Sequence, residues 1–320
     1  MTISEKAIQA RSDLAEIIGQ RSDLGRLIET VLSVWPEHAV YLRQSFAQRS
    51  PALLDTSNTM AAAILRLAGD RATETAEDYR WLCAQIQEEE LYFARNDTYR
   101  YASFEQTNAH VYSDDNFMRR YMHGLLFSHV LWFMHLSSLH FFAGRLSARL
   151  RGRDRVLEVG SGHGLMLFLA LRDLGMSEAV AWDLSEVSLE QTREALALLG
   201  MADRAQLVVQ DMHQAQPQDK PFDLVILSHL LEHLDDPVDA LQRLKGVVAK
   251  GGFLFVNIPL NAPMPDHLIL LRTPEEAMEI IEKGGFRVLE IASHTTQGIP
   301  LPKALRSKTA VTCSIIAEPV

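Results

Sequence analysis

The spacing of hydrophobic residues changes about halfway along the chain. Over residues 1–150, apolar residues recur every three or four positions, which is typical of amphipathic helices. Beyond residue 150, short apolar runs alternate with helical stretches, which is typical of an α/β sheet. The predicted helices of the first half cover roughly residues 4–17, 22–34, 38–48, 52–68, which starts at Ser50-Pro51, and 76–93, which follows Thr75.

The second half opens with an apolar strand that ends in an acid and three alternating glycines, in the run from Val156 to Gly164. Glycine has no Cβ, so the backbone can turn sharply here and approach a ligand closely. A helical stretch follows over residues 165–174. A strand, a glycine turn and a helix in this order are typical of an adenosine cofactor site, although such a turn can also serve only to pack a helix against a strand.

The spacing of these glycines separates the possible cofactors. A dinucleotide site needs glycine at the first, third and sixth positions, so that a pyrophosphate can lie on the helix N-terminus. In this chain the fifth position is Gly164 and the sixth is Leu165. The turn therefore favours a ligand without a pyrophosphate.

Each of the next predicted strands also ends in polar residues. Asp183 follows a strand over 179–182, and its carboxylate can accept both hydroxyls of a ribose. Asp211 and Met212 follow a strand over 206–209, where the carboxylate can accept an adenine amino group and the thioether suits a ring face. One such acid alone is often only a turn residue or a helix cap.

A fourth strand over 222–227 ends at Ser228-His229. Open α/β sheets bind ligands at the carboxyl ends of their strands, so four consecutive strands with polar ends indicate a site there. Further on, Thr273 and Glu276 are predicted to cap a helix, and the last strand returns after a loop, which predicts an antiparallel hairpin. The remaining predicted strands are residues 253–258, 287–292 and 309–317.

In their order along the chain, these motifs resemble the class I S-adenosylmethionine-dependent methyltransferases, particularly the small-molecule branch. The resemblance covers residues 151–320 and includes the stretches Phe222–Pro237, Lys250–Pro259 and Thr273–Phe286. It implies an α/β fold with a seven-stranded, doubly wound, mostly parallel Rossmann-like sheet, and S-adenosyl-L-methionine as the cofactor. By position, it implies that the cofactor is bound by Glu158, Gly160, Ser161, Gly162, Gly164, Asp183, Leu184, Asp211, Met212, Ser228 and His229.

The segment over residues 99–121 is rich in aromatic and polar residues and has two interpretations. Its rings can fill the seam between two domains. Alternatively, the segment forms a lid that excludes water, with Tyr112 or Tyr121 facing the sulfonium, since an aromatic face attracts a cation by roughly 0.5 to 2 kcal/mol. The sequence leaves both interpretations open, and the two tyrosines are candidate catalytic residues.

The run from His229 to His233, with Glu232 between them, matches the H-x-x-E-H pattern of some zinc peptidases. Because it directly follows the fourth strand of a cofactor sheet, we interpret the match as coincidental and predict no metal site. His229 and His233 are instead candidate catalytic residues. His229 is the better candidate for a base or an orienting group, since imidazole titrates near neutral pH.

The chain is predicted to contain two domains, a helical one over 1–150 that supplies a lid and substrate pocket, and a cofactor-binding one over 151–320. The segment over 121–144 contains no Asp, Glu, Lys or Arg and is long enough to cross a bilayer. Its histidines and serines would be costly in lipid. We therefore predict one buried helix that packs the first domain onto the sheet.

Charge and cysteine content limit the kinds of partner that we expect for this protein. A net charge of -10 and a pI near 5.6 disfavour an extended nucleic-acid interface. Cys83 and Cys313 are predicted to be reduced, and no signal-peptide pattern opens the chain, so we expect a cytoplasmic protein without a membrane partner. The oligomeric state is left open.

The leading functional hypothesis is transfer of a methyl group to a small-molecule acceptor, in secondary metabolism. One alternative is a cyclase or lyase of the same fold, in which the cofactor's own amine attacks its γ-carbon and gives azetidine-2-carboxylate and methylthioadenosine. An alternative of another class is a non-catalytic binding or scaffold protein, against which the intact acids Glu158, Asp183 and Asp211 argue. The acceptor itself is not identified by the sequence.

Overall fold

The computed structural model of the protein describes residues 3–320, with side chains from residue 5 onward. The first half of the chain is helical, and five of its helices lie where the hydrophobic spacing predicts them. The helices up to residue 146 are α1 (Ile3–Ile18), α2 (Ser22–Val34), α3 (Ala39–Ala47), α4 (Pro51–Ala68), α5 (Ala72–Asn96), α6 (Phe104–Thr107), α7 (Asp115–Leu131) and α8 (Phe133–Leu146).

Two of these helices test the predicted start signals. The side chain of Ser50 accepts a backbone N–H of the first turn of α4, and Pro51 occupies the first helical position, as predicted. The prediction that the next helix follows Thr75 is wrong, because α5 already begins at Ala72. The Thr75 hydroxyl donates to the Arg71 carbonyl within the helix and caps nothing. A 3-10 turn over Gly69–Arg71 leads directly into α5, and the side chain of its N-cap residue, Arg71, makes no capping hydrogen bond.

The second half contains seven strands, β1 (Arg155–Val159), β2 (Glu178–Asp183), β3 (Ala205–Val209), β4 (Phe222–Ser228), β5 (Val248–Leu260), β6 (Phe286–Thr295) and β7 (Val311–Pro319). They form one sheet in the order β3-β2-β1-β4-β5-β7-β6. Strands β1 to β5 are parallel, whereas β7 lies antiparallel between β5 and β6. The predicted Rossmann-like sheet with an antiparallel hairpin is therefore confirmed.

Five helices connect these strands, α9 (Leu165–Arg172), α10 (Glu186–Leu198), α11 (Pro237–Lys245), α12 (Pro274–Lys283) and α13 (Leu301–Arg306). Thr273 caps α12 by accepting the N–H of Glu276, as predicted. The connection from β6 to β7 differs from the expected plain loop, because it contains the six-residue helix α13. The antiparallel return of β7 is unaffected.

The uncharged segment over 121–144 forms two helices, so the prediction of a single helix is wrong. Helices α7 and α8 meet at Trp132 with a bend of 71°. At the bend the Arg49 guanidinium donates to the freed Leu131 carbonyl at 3.2 Å, and the Trp132 indole donates to the Tyr79 hydroxyl at 3.0 Å. No single helix in the described part of the chain is long and apolar enough to cross a membrane; α7 and α8 pass that test only as a bent pair.

The helical half packs onto one face of the sheet through a shared hydrophobic core. Phe142 of α8 meets Phe255 of β5 edge to face, with ring centroids 4.8 Å apart, and both rings are fully buried. The same apolar cluster continues into α4, α5 and α7. A second cluster on the other face packs against α11 and α12. The roof over the carboxyl ends of the strands is thus attached mainly by apolar burial.

Gly124 of α7 marks a close approach to α5. A Cβ at this position would lie 2.8 Å from Leu82 Cβ and 2.9 Å from the Asp78 carbonyl oxygen. We expect Gly124→Ala to lower the free energy of unfolding by about 1–3 kcal/mol, measured by urea denaturation, because the two helices must separate. Gly144→Ala in α8 is the matched control, since a Cβ there meets nothing within 4 Å. Equal effects of the two substitutions would contradict the close packing.

Candidate active site

The glycine turn after β1 adopts a backbone that glycine takes without strain. Its three glycines, Gly160, Gly162 and Gly164, have φ values of 72°, 47° and 66°. Thr192 of α10 fixes the turn, because its hydroxyl donates to the Gly162 carbonyl at 3.0 Å and lies 2.8 Å from the Ser161 hydroxyl. The turn is therefore held against α10 by hydrogen bonds.

Glu158, the acid near the end of β1, lies beneath this turn. Its side chain is buried, and its Oε2 accepts the backbone N–H of Leu167 in the first turn of α9 at 3.0 Å. Burial raises the pKa of Glu158 well above its ordinary value, and the hydrogen bond from Leu167 only partly opposes this. A positively charged ligand group would lower that pKa again.

The acids after β2 and β3 lie further along the same sheet edge. The Asp183 carboxylate accepts the Ser185 N–H at 2.9 Å and the Ser188 hydroxyl at 2.7 Å, and Asp211 accepts the His213 N–H at 2.9 Å. Both acids thus have the local capping role that the sequence left open. Leu184 is 66% exposed beside Asp183, whereas Met212 is buried.

A cavity of about 270 Å³ lies between the helical half and the carboxyl ends of the strands. Its floor includes Glu158 and the glycine turn, and its roof comes from α7, α8 and a π-helical turn over 108–112. The structure brings all four candidate catalytic residues to this cavity. It also brings there those predicted cofactor-binding residues that lie at the ends of β1 and β4. The predicted residues that line it are Tyr112, Tyr121, Glu158, Gly160, Ser161, Gly162, Ser228, His229 and His233.

Asp266 is the main residue of the cavity wall that the sequence did not indicate. It lies in the loop between β5 and α12, is buried, and accepts the Tyr121 hydroxyl at 2.7 Å and the Tyr112 hydroxyl at 3.3 Å. Burial raises the pKa of both tyrosines, and the Asp266 charge raises it further, so both stay protonated donors. This loop has no hydrophobic periodicity, so only the two tyrosines across the seam reveal its role.

His229 forms a carboxylate–imidazole pair at the end of β4. It has a φ of 54°, and its Nδ1 lies 3.1 Å from Oε1 of Glu232, which is 1% exposed. Burial alone would raise the pKa of Glu232, but the imidazoles of His229 and its neighbours outweigh it and lower that pKa. An ionised Glu232 accepts the Nδ1–H of His229, so in the neutral imidazole the lone pair lies on Nε2.

His233 lies deeper and is bound differently. Its Nδ1 donates to the Asp266 carbonyl at 3.0 Å and lies 3.3 Å from the Tyr112 hydroxyl. Burial lowers the pKa of His233, but the charges of Asp266 and Glu232 outweigh this and raise it above the ordinary value. The two carboxylates therefore favour the protonated form of His233.

One group of side chains here could hold a metal ion. Glu232, His233 and His267 each offer a ligand atom within 4.8 Å of the others. The group differs from the H-x-x-E-H motif, because His267 replaces His229. A metal ligand must be deprotonated, which the raised pKa of His233 opposes. The absence of a metal site stays a prediction.

The fold and this site define a class of protein that the comparisons identify. Residues 133–289 match a family model described as a methyltransferase domain. The match agrees with the resemblance of the second half of the chain to the class I S-adenosylmethionine-dependent methyltransferases, and S-adenosylmethionine is the cofactor of that class. The glycine turn and the cavity that it lines fit such a cofactor.

Two curated relatives match the second half of the chain. The ubiquinone biosynthesis O-methyltransferase of Neisseria meningitidis is 31% identical over 140 residues, which cover 43% of this chain and 56% of that protein. The malonyl-[acyl-carrier protein] O-methyltransferase of Chlorobium luteolum is 32% identical over 168 residues, which cover 49% and 57%. The chain thus spans about half the length of the curated relatives it matches.

One solved structure is similar over almost the whole chain. The mitomycin 7-O-methyltransferase MmcR is aligned over 98% of this chain and 95% of its own, with a TM-score of 0.52 and 17% identity. At this identity the likeness concerns the fold alone. It extends to the helical half, which the family model covers only from residue 133.

Asp183 tests the predicted ribose position. We expect Asp183→Ala to weaken the binding of S-adenosylmethionine by about 1.5–3 kcal/mol, measured by calorimetry, because charge-assisted hydrogen bonds to the ribose are lost. Asp236→Ala is the matched control, since Asp236 caps α11 through a backbone N–H in the same way. Unchanged affinity in Asp183→Ala would show that the ribose lies elsewhere.

The raised pKa of His233 predicts that the free energy of unfolding depends on pH. The pKa of His233 in the folded protein is raised above its ordinary value of 6.5. Protonation of His233 therefore stabilises the fold fully below pH 6.5, and this contribution is lost as the pH rises through the pKa of the folded state. We expect the free energy of unfolding, from urea titrations between pH 6 and 9, to fall less steeply in His233→Gln than in the natural protein. His140→Gln, at an exposed position of α8, should leave the slope unchanged. An equal slope in all three proteins would refute the assignment.

Proposed function

We propose that this protein transfers a methyl group from S-adenosylmethionine to an oxygen of a small-molecule acceptor bound in the cavity. The observation that carries the proposal is the pair of His229 and buried Glu232, which lies at the wall of a cavity whose floor is the glycine turn. The names of both curated relatives, each an O-methyltransferase, support an oxygen acceptor. We further propose a cytoplasmic enzyme of small-molecule biosynthesis.

The cofactor is assigned along the carboxyl ends of β1 to β4. Glu158 and the glycine turn take its amino-acid end, Asp183 and Leu184 the ribose, Asp211 and Met212 the adenine, and Ser228 and His229 border the reacting group. Gly160 has a φ of 72°, and a Cβ there would lie 3.1 Å from the Leu230 side chain, so this position of the turn favours glycine. Bound S-adenosylmethionine supplies an electrophilic methyl group on a sulfonium.

His229 acts as the general base in this proposal. Glu232 holds its Nδ1–H, so Nε2 can accept the proton of an acceptor hydroxyl. A bond forms between the acceptor oxygen and the methyl carbon, the bond from that carbon to sulfur breaks, and the proton stays on His229. Glu232 stabilises the resulting imidazolium.

The helical half supplies the acceptor pocket and excludes water. Tyr112 and Tyr121 are held toward the cavity by Asp266, so their rings wall off the reacting group. Exclusion of water strengthens electrostatic interactions inside the site and prevents hydrolysis. Tyr112 and Tyr121 are therefore assigned as roof residues, and His233 as a positioning residue that fixes the Asp266 loop.

The test is to incubate purified protein with S-adenosylmethionine, alone and with a metabolite extract, and to follow nucleoside products by mass spectrometry. We expect S-adenosylhomocysteine only when extract is present. His229→Gln should reduce its formation by about 10²–10⁴-fold, because the base is lost, with a much smaller change in cofactor affinity. His140→Gln should behave like the natural protein.

The other outcomes separate the alternative functions. Methylthioadenosine formed from the cofactor alone would overturn methyl transfer in favour of a cyclase or lyase. Neither product, together with no cofactor binding, would leave a scaffold protein. S-adenosylhomocysteine formed equally fast by His229→Gln would retain the methyltransferase function and remove His229 as its base.

A further inference from the structure

Four more histidines line the same cavity and have no part in the proposed mechanism. His129 and His135 come from the roof, His163 from the glycine turn and His267 from the loop between β5 and α12. The ring of His135 lies 5.2 Å from that of His229, between centroids, with the two planes at 49°. His135 therefore faces the proposed base across a short distance.

The hydrogen bonds of Ser128 determine which nitrogen of His135 carries the proton. The Ser128 hydroxyl donates to the Leu125 carbonyl at 2.7 Å, since a carbonyl oxygen can only accept. The same hydroxyl oxygen lies 3.0 Å from Nδ1 of His135 and must accept there. Nδ1 of His135 is thus protonated, and its Nε2 carries a lone pair. Burial lowers the pKa of His135 well below its ordinary value, which keeps the ring neutral.

His135 and His229 together form a pair of hydrogen-bond acceptors. In each ring Nδ1–H is bound to the protein, to Ser128 in one case and to Glu232 in the other. Within residues 3–320, no protein donor reaches Nε2 of either ring. A ligand that satisfies both nitrogens must bring two neighbouring donors.

The apolar part of the cavity suits a flat ring. Trp132 lies against His135 with centroids 4.8 Å apart. Thioethers line the walls around it, and sulfur packs favourably against aromatic edges. The methionines of the cavity wall are Met118, Met122, Met134, Met166 and Met264.

We infer that His135 and His229 form an acceptor-binding site for an aromatic compound with two adjacent hydroxyl groups. One hydroxyl gives its proton to His229 and is methylated, and the other donates to His135 and fixes the ring. This inference rests on the proposed function, because it names the acceptor class of the same site.

The test measures the binding of 4-methylcatechol and 4-methylphenol to protein saturated with S-adenosylhomocysteine, by calorimetry. We expect the dihydroxy compound to bind about tenfold more tightly, which is the size of one good hydrogen bond. His135→Leu should abolish this difference without changing the affinity for 4-methylphenol, and His135→Gln, whose amide oxygen accepts, should restore part of it. His140→Leu on the same helix should retain the full difference.

A second variant keeps the test decisive if His135→Leu fails to fold. Ser128→Ala removes the group that fixes the His135 tautomer, and should reduce the preference for 4-methylcatechol severalfold. Equal binding of the two probes by the natural protein overturns the inference and leaves the proposed function intact. The same holds if His135→Leu and Ser128→Ala each lose affinity for 4-methylcatechol and 4-methylphenol to the same extent. Failure to bind S-adenosylhomocysteine overturns both.

Discussion

A carboxylate buried among histidines is the interaction on which the candidate site depends. Burial of an unpaired charge costs several kcal/mol, and Glu232 offsets this cost with the imidazole of His229, whose Nδ1 lies 3.1 Å from its Oε1. Its main-chain carbonyl also accepts the N–H groups of Leu268 and Ile269. One residue therefore fixes both the tautomer of the proposed base and the position of the loop that carries Asp266. A substitution of Glu232 would therefore affect both His229 and the loop that carries Asp266.

The roof is attached to the sheet in two physically different ways. Helix α8 shares the main core, and to separate Phe142 from Phe255 would expose apolar surface at about 25 cal/mol per Å². The segment over 104–112, in contrast, is held to the sheet half by polar contacts, such as those of the Phe104 N–H with Asp235 and of Tyr112 with Asp266. The seam and lid interpretations of residues 99–121 both stay predictions.

Much of the fold follows from local signals in the sequence, and the site follows only in part. The glycine turn and the acids at strand ends are local patterns, and parallel strands must bring their carboxyl ends to one edge, so Glu158, Asp183 and His229 could be placed in advance. Asp266 could not, because its loop has no periodicity and its partners are 145 and 154 residues away. The bend at Trp132 was missed for a similar reason. The Arg49 guanidinium, which binds the freed Leu131 carbonyl there, comes from the loop between α3 and α4, 82 residues earlier in the chain.

Closure of the roof and the chemistry of the cavity depend on each other. Burial lowers the pKa of His129 to about 3 and of His163 to about 4, and it also lowers the pKa of His135 well below its ordinary value. Exposure to water would return each pKa toward its ordinary value of 6.5, so a closed roof keeps these imidazoles neutral and acid favours an open one. Neutral rings in turn place lone pairs, and no added positive charge, beside the reaction centre. The roof therefore does more than cover the acceptor, because it maintains the protonation state in which the acceptor can be bound.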